Sequence, residues 1–349
     1  MKKMRFLVCG FVMLVASIAL IGSLQGMAEA QPKPIEMGFM HYFPAVHFVN
    51  IEIAQPWTKL MEEKSGGKLR FKIYPAAALA KPPDFFEAVV SGGVDIVMGY
   101  SAYTPGRFPV SDVSGLPFLG YTSTSCATKT FMELWKTVPE VAKEWQAVKV
   151  LWFQTEPPTQ IHMSKKAIRT LSDLKGTKVR IPGQAAPYLN SLGSTSIVMA
   201  SPEVYDALSK GVIDGTTYPF EAIKGWNLHE VCFYHTWLNF YANPFYLVMN
   251  LDKWKSLPSD MQALFEKYSG DYGAEFAVRV WEKGNNASYE MLKNDPKHEI
   301  ITLPKSDMEK ARELMKPHYD KWIASMNAKG IDGKKIFDKT RRYAERFSK

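Results

Sequence analysis

The chain has 349 residues, 46% of them apolar and 22% charged, which is enough for two hydrophobic cores and excludes a disordered or low-complexity polypeptide. Its net charge of +8 is spread along the sequence, with no dense Lys/Arg patch interleaved with aromatics, which argues against a nucleic-acid partner. Three cysteines are too few for a disulfide scaffold.

The N-terminus is read first. Lys2, Lys3 and Arg5 form a positive leader, Phe6 to Leu24 carries no charge, and Ala28-Glu29-Ala30 has the small-x-small form of a cleavage signal. Residues 1–30 are therefore predicted to be a cleaved signal peptide, with Gln31 the first mature residue and export the outcome. The uncharged run is long enough for a membrane anchor, but Gly10, Ser17, Gly22 and Ser23 dilute it. Cys9 precedes most of the apolar run and does not read as a lipoprotein cysteine. No later stretch is long and apolar enough to span a membrane. Cys126 and Cys232 could pair in an oxidising compartment; two separate buried thiols is the reading adopted.

Pro34 to Met40 reads as a short strand, followed by a turn at His41-Tyr42-Phe43-Pro44. Phe48 to Ser65 has helical apolar spacing and stops at Gly66-Gly67. Leu69 to Tyr74 alternates as a strand and ends at Pro75. Asp84 to Ser91 reads as a helix and Val94 to Met98 as a strand. This β-α-β-α-β order predicts a mostly parallel sheet with helices on its faces. A weak internal echo suggests two similar halves. Pro83-Asp84-Phe85-Phe86-Glu87-Ala88-Val89 with Gly92-Gly93-Val94-Asp95 matches Pro202-Glu203-Val204-Tyr205-Asp206-Ala207-Leu208 with Gly211-Val212-Ile213-Asp214. Each copy has proline and acid at a helix start and glycine at its end. Between the copies, Lys178 to Ile181 is a strand carrying one arginine and stopped by Pro182-Gly183. Further on, Leu257-Pro258-Ser259 opens a long helix to about Leu292, with a Ser259/Gln262 capping box and weak points at Gly270, Gly273 and Gly284. Ser306 with Glu309 caps another helix, and Arg341 to Phe347 ends the chain.

Two α/β lobes with a cleft between them follow from this order, and ligands in open α/β sheets sit beyond the carboxyl ends of strands. Arg180 stands at such an end. A guanidinium there either pairs with a nearby acid or grips a ligand carboxylate in a two-pronged bond. Tyr42, Phe43, Tyr100, Ser101, Tyr103 and Phe118 lie at or near strand ends of the first half. Tyr218, Phe220 and Tyr241 do so in the second, and together they suggest an aromatic wall. Asn243, just before the strand Phe245 to Asn250, is a candidate polar contact near a hinge. His162 reads as a strand side chain. No G-x-S-x-G elbow, phosphate loop or H-E-x-x-H is present, and the histidines lack metal-ligand spacing, so neither an enzyme, a metal nor a cofactor is predicted.

Lys178-Val179-Arg180-Ile181-Pro182-Gly183, followed by Glu203-Val204-Tyr205-Asp206-Ala207-Leu208 and Gly211-Val212-Ile213-Asp214-Gly215, resembles the core of the solute-binding proteins of tripartite ATP-independent periplasmic (TRAP) transporters. The resemblance covers essentially all of the mature chain. It implies an α/β, two-lobed periplasmic-binding-protein-like fold, with mixed, mostly parallel sheets flanked by helices, a ligand cleft between the lobes, and one long helix spanning both. The implied division is lobe I at 31–155 plus about 245–285 and lobe II at 156–244 plus about 286–349. Arg180 takes the place of the family's carboxylate-gripping arginine, while Tyr100, Tyr103, Gln160, Tyr218 and Asn243 match ligand-facing positions. Gln160 replaces a second arginine of the sialic-acid branch, which argues against a dicarboxylate. Thr217-Tyr218 lacks the acid of the branch that binds 2-oxo acids with a cation. Tyr74-Pro75 is followed by Ala76-Ala77-Ala78 where the family is glycine-rich. The implied function is capture of an organic monocarboxylate and its delivery to a permease of one small and one large membrane subunit. A periplasmic sensor subunit presenting a bound carboxylate to a receptor is the alternative.

Overall fold

A computed structural model describes residues 33–348; the predicted leader, its cleavage triplet and Cys9 lie outside the described residues. The strands in chain order are β1 (Ile35–His41), β2 (Leu69–Tyr74), β3 (Ile96–Tyr100), β4 (Val148–Thr155), β5 (Gln160–Met163), β6 (Lys178–Ile181), β7 (Thr195–Val198), β8 (Gly215–Tyr218), β9 (Tyr234–Trp237), β10 (Pro244–Asn250) and β11 (Glu299–Thr302). They form two sheets, ordered β2-β1-β3-β10-β4 and β11-β9-β5-β8-β6-β7. Both sheets are mixed. β1 is parallel to β3, β6 to β7 and β8, and β11 to β9. One strand in each sheet runs against both neighbours: β10 between β3 and β4, and β5 between β8 and β9. β3 and β10 are buried at every residue. That accounts for their mainly apolar sequence, broken only where β10 ends at Asn250, which caps the following helix.

The α-helices are α1 (Gln55–Lys64), α2 (Phe85–Val90), α3 (Thr124–Thr137), α4 (Pro139–Glu144), α5 (Ala186–Ser191), α6 (Val204–Ser209), α7 (Phe220–Gly225), α8 (Leu251–Ser256), α9 (Ser259–Lys267), α10 (Gly270–Asn294), α11 (Lys305–Asn327) and α12 (Gly333–Phe347). A π-wound turn, Val49–Ala54, leads into α1. The long helix expected from Ser259 to Leu292 is two helices: the first ends at Lys267 and Gly270, with φ +54°, opens the second. Neither expected capping box forms. Pro258 and Pro304 occupy the N-caps, which leaves Ser259 and Ser306 inside the first turn. α10 packs on β4 and α3 on one side and on α7 and β11 on the other, so one helix touches elements of both sheets. α12 packs on α3 and α11.

The internal echo is structural. Each copy is a 3₁₀ turn (Pro82–Asp84, Ser201–Glu203), a six-residue helix (α2, α6), a left-handed glycine (Gly92, φ +76°; Gly211, φ +67°) and a strand (β3, β8). The aspartate entering each strand does the same work. Asp95 accepts the Gly38 N–H at 2.7 Å and Asp214 the Lys178 N–H at 2.7 Å, each stapling a neighbouring strand. Cys126 and Cys232 are both free and buried, in separate apolar clusters.

The chain passes between the sheets at 155–160 and again at 237–244. The two crossings are bonded side by side, through Thr159 N to Tyr241 O (2.8 Å), Phe240 N to Thr159 O (2.9 Å) and Glu156 N to Asn243 O (3.3 Å).

Candidate functional site

Arg180 sits on β6, hydrogen-bonded in register with β7 and β8, and is 1% exposed. Its Nε donates to the Met199 carbonyl at 2.9 Å and Nη2 to the Tyr103 hydroxyl at 3.3 Å. The guanidinium carbon lies 4.5 Å from the centre of the Tyr218 ring. Among the described residues no carboxylate forms an ion pair with it. A buried guanidinium needs an anion to offset its desolvation, and a cation–π contact of about 2 kcal/mol covers only part of that.

Three tyrosines tie this arginine to its surroundings. Tyr103, beyond β3, bonds Ser201 twice: its oxygen accepts Ser201 N–H at 3.0 Å and shares a hydrogen with Ser201 Oγ at 2.8 Å. The Tyr218 hydroxyl donates to the same Ser201 Oγ at 2.6 Å. Tyr241 and Thr217 share a hydrogen at 2.8 Å. Because Tyr103 follows the first sheet and Arg180 and Ser201 belong to the second, the Tyr103 bonds bridge the cleft.

At the crossing, Glu156 accepts the Tyr100 hydroxyl, and the Asn243 N–H at 3.2 Å. Asn243 Nδ2 donates to the Tyr100 oxygen at 3.2 Å, while its buried Oδ1 has no partner among the described residues. Burial pushes the Glu156 carboxyl up to about 7, against the Tyr100 and Asn243 bonds and the attraction of Arg180, which favour ionisation. Beside this group, Tyr42 stacks on Phe43 at 4.4 Å and lies against Tyr103, Phe245 and Trp226, the last on the far side of the cleft. A mainly apolar cavity of about 450 Å³ opens at the rim, and Tyr103 and Met199, both bonded to Arg180, line part of it with Pro83, Ala102, Val198 and Pro202.

Of the residues singled out in the sequence, Arg180, Tyr100, Tyr103, Tyr218, Tyr241, Asn243 and Phe43 come together here or one ring away. Ser101 is buried in the 3₁₀ turn Ser101–Tyr103, where its carbonyl accepts from Thr104. Gln160 is committed elsewhere. Its Nε2 donates to Pro158 O (2.9 Å) and Asn239 Oδ1 (2.7 Å), and its Oε1 accepts from Leu238 N (2.6 Å) and Asn239 N (2.9 Å). These four bonds fill the amide and hold the second crossing. Phe118 lies against Phe240 at 5.2 Å with the Arg312 guanidinium 6.0 Å from its ring centre. Phe220 packs among His162, Trp237 and Tyr289. His162 is the first of a buried row: it meets the Tyr218 carbonyl at 2.9 Å and His235 at 2.8 Å, and His235 meets His298 at 3.0 Å.

The profile of "Bacterial extracellular solute-binding protein, family 7" matches residues 39–325. The chain belongs to that family. As a TRAP-type solute-binding protein it works by delivering a captured ligand to its transporter. It is similar to a marine-metagenome TRAP solute-binding protein specific for aromatic acid ligands, in complex with metahydroxyphenylacetate. That match has a TM-score of 0.85 and 30% identity over 90% of this chain and 100% of the other. A TRAP solute-binding protein from Rhodoferax ferrireducens with copurified benzoate superposes with a TM-score of 0.84 at 28% identity, over 90% and 98% of the two chains. The C4-dicarboxylate-binding periplasmic protein of Rhodobacter capsulatus is 24% identical over 91% of this chain and 95% of its own length.

The sequence reading did not single out Glu156, Ser201 or Trp226, which the structure places against Tyr100, Tyr103 and Tyr42 respectively. Glu156 had a signal, an acid between the apolar strand β4 and Pro157-Pro158, where a charge at a buried strand end needs a reason.

Proposed function

We propose that this protein is exported through its N-terminal leader and captures an organic monocarboxylate, of the aromatic class, between lobe I (31–155 plus about 245–285) and lobe II (156–244 plus about 286–349). Arg180 is the carboxylate anchor. Tyr103, Tyr218, Asn243 and the Tyr100–Glu156 pair supply polar contacts, and Tyr42, Phe43 and Trp226 face the apolar body. The observation that carries this reading is the Arg180 guanidinium, buried under tyrosine rings with no acid paired to it among the described residues. The aromatic acids bound by the two similar solved proteins support the class. Gln160, with its amide filled, is assigned to the crossing rather than the ligand. A ligand touching both lobes favours their closed arrangement by its differential affinity, and the closed form is what a small and a large membrane subunit would receive.

Arg180→Lys tests the anchor. A lone ammonium cannot reproduce the guanidinium fork, and charge-assisted hydrogen bonds contribute about 1.5–3 kcal/mol. Titration calorimetry of ligand-stripped protein with benzoate and phenylacetate should therefore show a loss of roughly 10- to 100-fold, with little change in melting temperature. Equal affinities would remove Arg180 from the role. A thermal-shift series of organic acids names the class: at a hundredfold excess over its Kd a true ligand adds about 2.7 kcal/mol.

A further inference from the structure

Next to the Arg180 site lies a group of buried polar atoms without a partner among the described residues. His47 Nδ1 accepts the Val49 N–H at 3.2 Å, so the neutral ring carries its proton on Nε2. Burial, with His41 nearby, pulls this imidazole down to about 3 and keeps it neutral. His47 Nε2, Trp281 Nε1 and Glu221 Oε2 have no hydrogen-bond partner among the described residues, and the three residues are 2%, 1% and 4% exposed. An unsatisfied buried polar atom costs about 1–3 kcal/mol and is rare in native proteins.

The three belong to one neighbourhood. The Phe43 ring is 4.7 Å from His47, 6.1 Å from Trp226 and 6.2 Å from Trp281. The His47 ring is 5.6 Å from Trp226 and its Nε2 faces Gly225, one turn along α7 from Glu221. Glu221 is tied to α10 by Asn285, whose Oδ1 accepts its N–H at 3.3 Å, one turn beyond Trp281.

Two of the three atoms are fixed donors and the third is a carboxyl oxygen. A hydroxyl complements them: its oxygen accepts from His47 and Trp281 and its hydrogen goes to Glu221. Burial keeps the Glu221 carboxyl neutral, its proton affinity raised well above the ordinary range; a second carboxylate would be a buried charge with no cation paired to it, and an ammonium would meet two N–H groups. We propose that this cluster is the distal subsite of the cleft and that the cargo is a hydroxylated aromatic monocarboxylate. The inference rests on the carboxylate reading above and deepens it.

The test is calorimetry of the ligand-stripped mature chain with phenylacetate and its 2-, 3- and 4-hydroxy derivatives. At least one hydroxylated acid should bind more than about tenfold tighter, because a site built to bond a hydroxyl rejects the analogue that lacks it. Glu221→Leu and Trp281→Phe should each shrink that advantage to below about threefold while leaving the phenylacetate Kd within about threefold. If Glu221→Leu does not fold, the native ratio and Trp281→Phe decide. A native advantage below about twofold for every isomer would mean that the three atoms hold water, and would overturn the subsite while leaving the carboxylate reading intact. Variants that weaken all four acids equally would overturn it too. Binding of none of the four acids would overturn the carboxylate reading and the subsite with it.

Discussion

Ala76 and Ala77 both hold φ of +56°, a conformation that costs an L-residue roughly 1–2 kcal/mol. Their N–H groups reward it by bonding Phe43 O at 2.8 Å and His41 O at 3.0 Å, which clamps the end of β1 beneath Tyr42. Ala77→Gly should raise stability by about 0.5–1 kcal/mol, the strain released less the extra freedom of an unfolded glycine. Urea denaturation reads this, and a lower midpoint at unchanged slope would show that the alanine is unstrained. The alanines where glycine was expected were visible in the sequence; their left-handed backbone was not, since only the bonds back to β1 enforce it. Arg180 was legible for a local reason, being one arginine in a four-residue strand stopped by Pro-Gly. The commitment of Gln160 was hidden because its partners, Leu238 and Asn239, lie far along the chain.

Helix α7 closes on the 42–48 segment through a glycine. A Cβ built on Gly225 would collide with the His47 ring, so the two elements approach only because position 225 has none. Gly225→Ala should hold them apart and weaken ligand binding about tenfold or more by removing population from the closed arrangement. Stability should change little, since alanine is the better helix former. Calorimetry with unstripped and stripped protein checks this; an unaltered Kd would show that His47 moves aside at no cost. Elements of this kind were readable where local punctuation sets them: β2 and β6 fall at their expected limits, and the echoed helix–glycine–strand units recur. Boundaries set by competition were not. Pro258 and Pro304 take the caps from Ser259 and Ser306, and the 267–270 break is made where α10 turns to bridge both sheets.

The whole molecule buries acids and imidazoles whose pH responses oppose each other. His41, His162 and His235, burial first among the causes, are pulled down to about 4, about 4 and about 2, so acidification below their ordinary 6.5 favours unfolding. Glu156 works the other way. Its native proton affinity exceeds that of the unfolded chain, so from pH 4.5 to about 7 stability falls as pH rises, by up to about 3 kcal/mol. Glu156→Gln should therefore be close to neutral at pH 5 and stabilising at pH 8; a stability difference independent of pH would place the carboxyl in water. The same carboxyl bears on cargo. Arg180 now draws the Glu156 proton off, and a ligand carboxylate seated on that guanidinium would cancel the pull and tighten Glu156's hold on hydrogen. Near pH 7.5 the cleft would then take in an anion together with a fraction of a proton from the medium. Binding enthalpies measured in phosphate and in Tris, which release protons at very different heats, should disagree, and this solute-binding protein would load acid more readily wherever its surroundings turn sour.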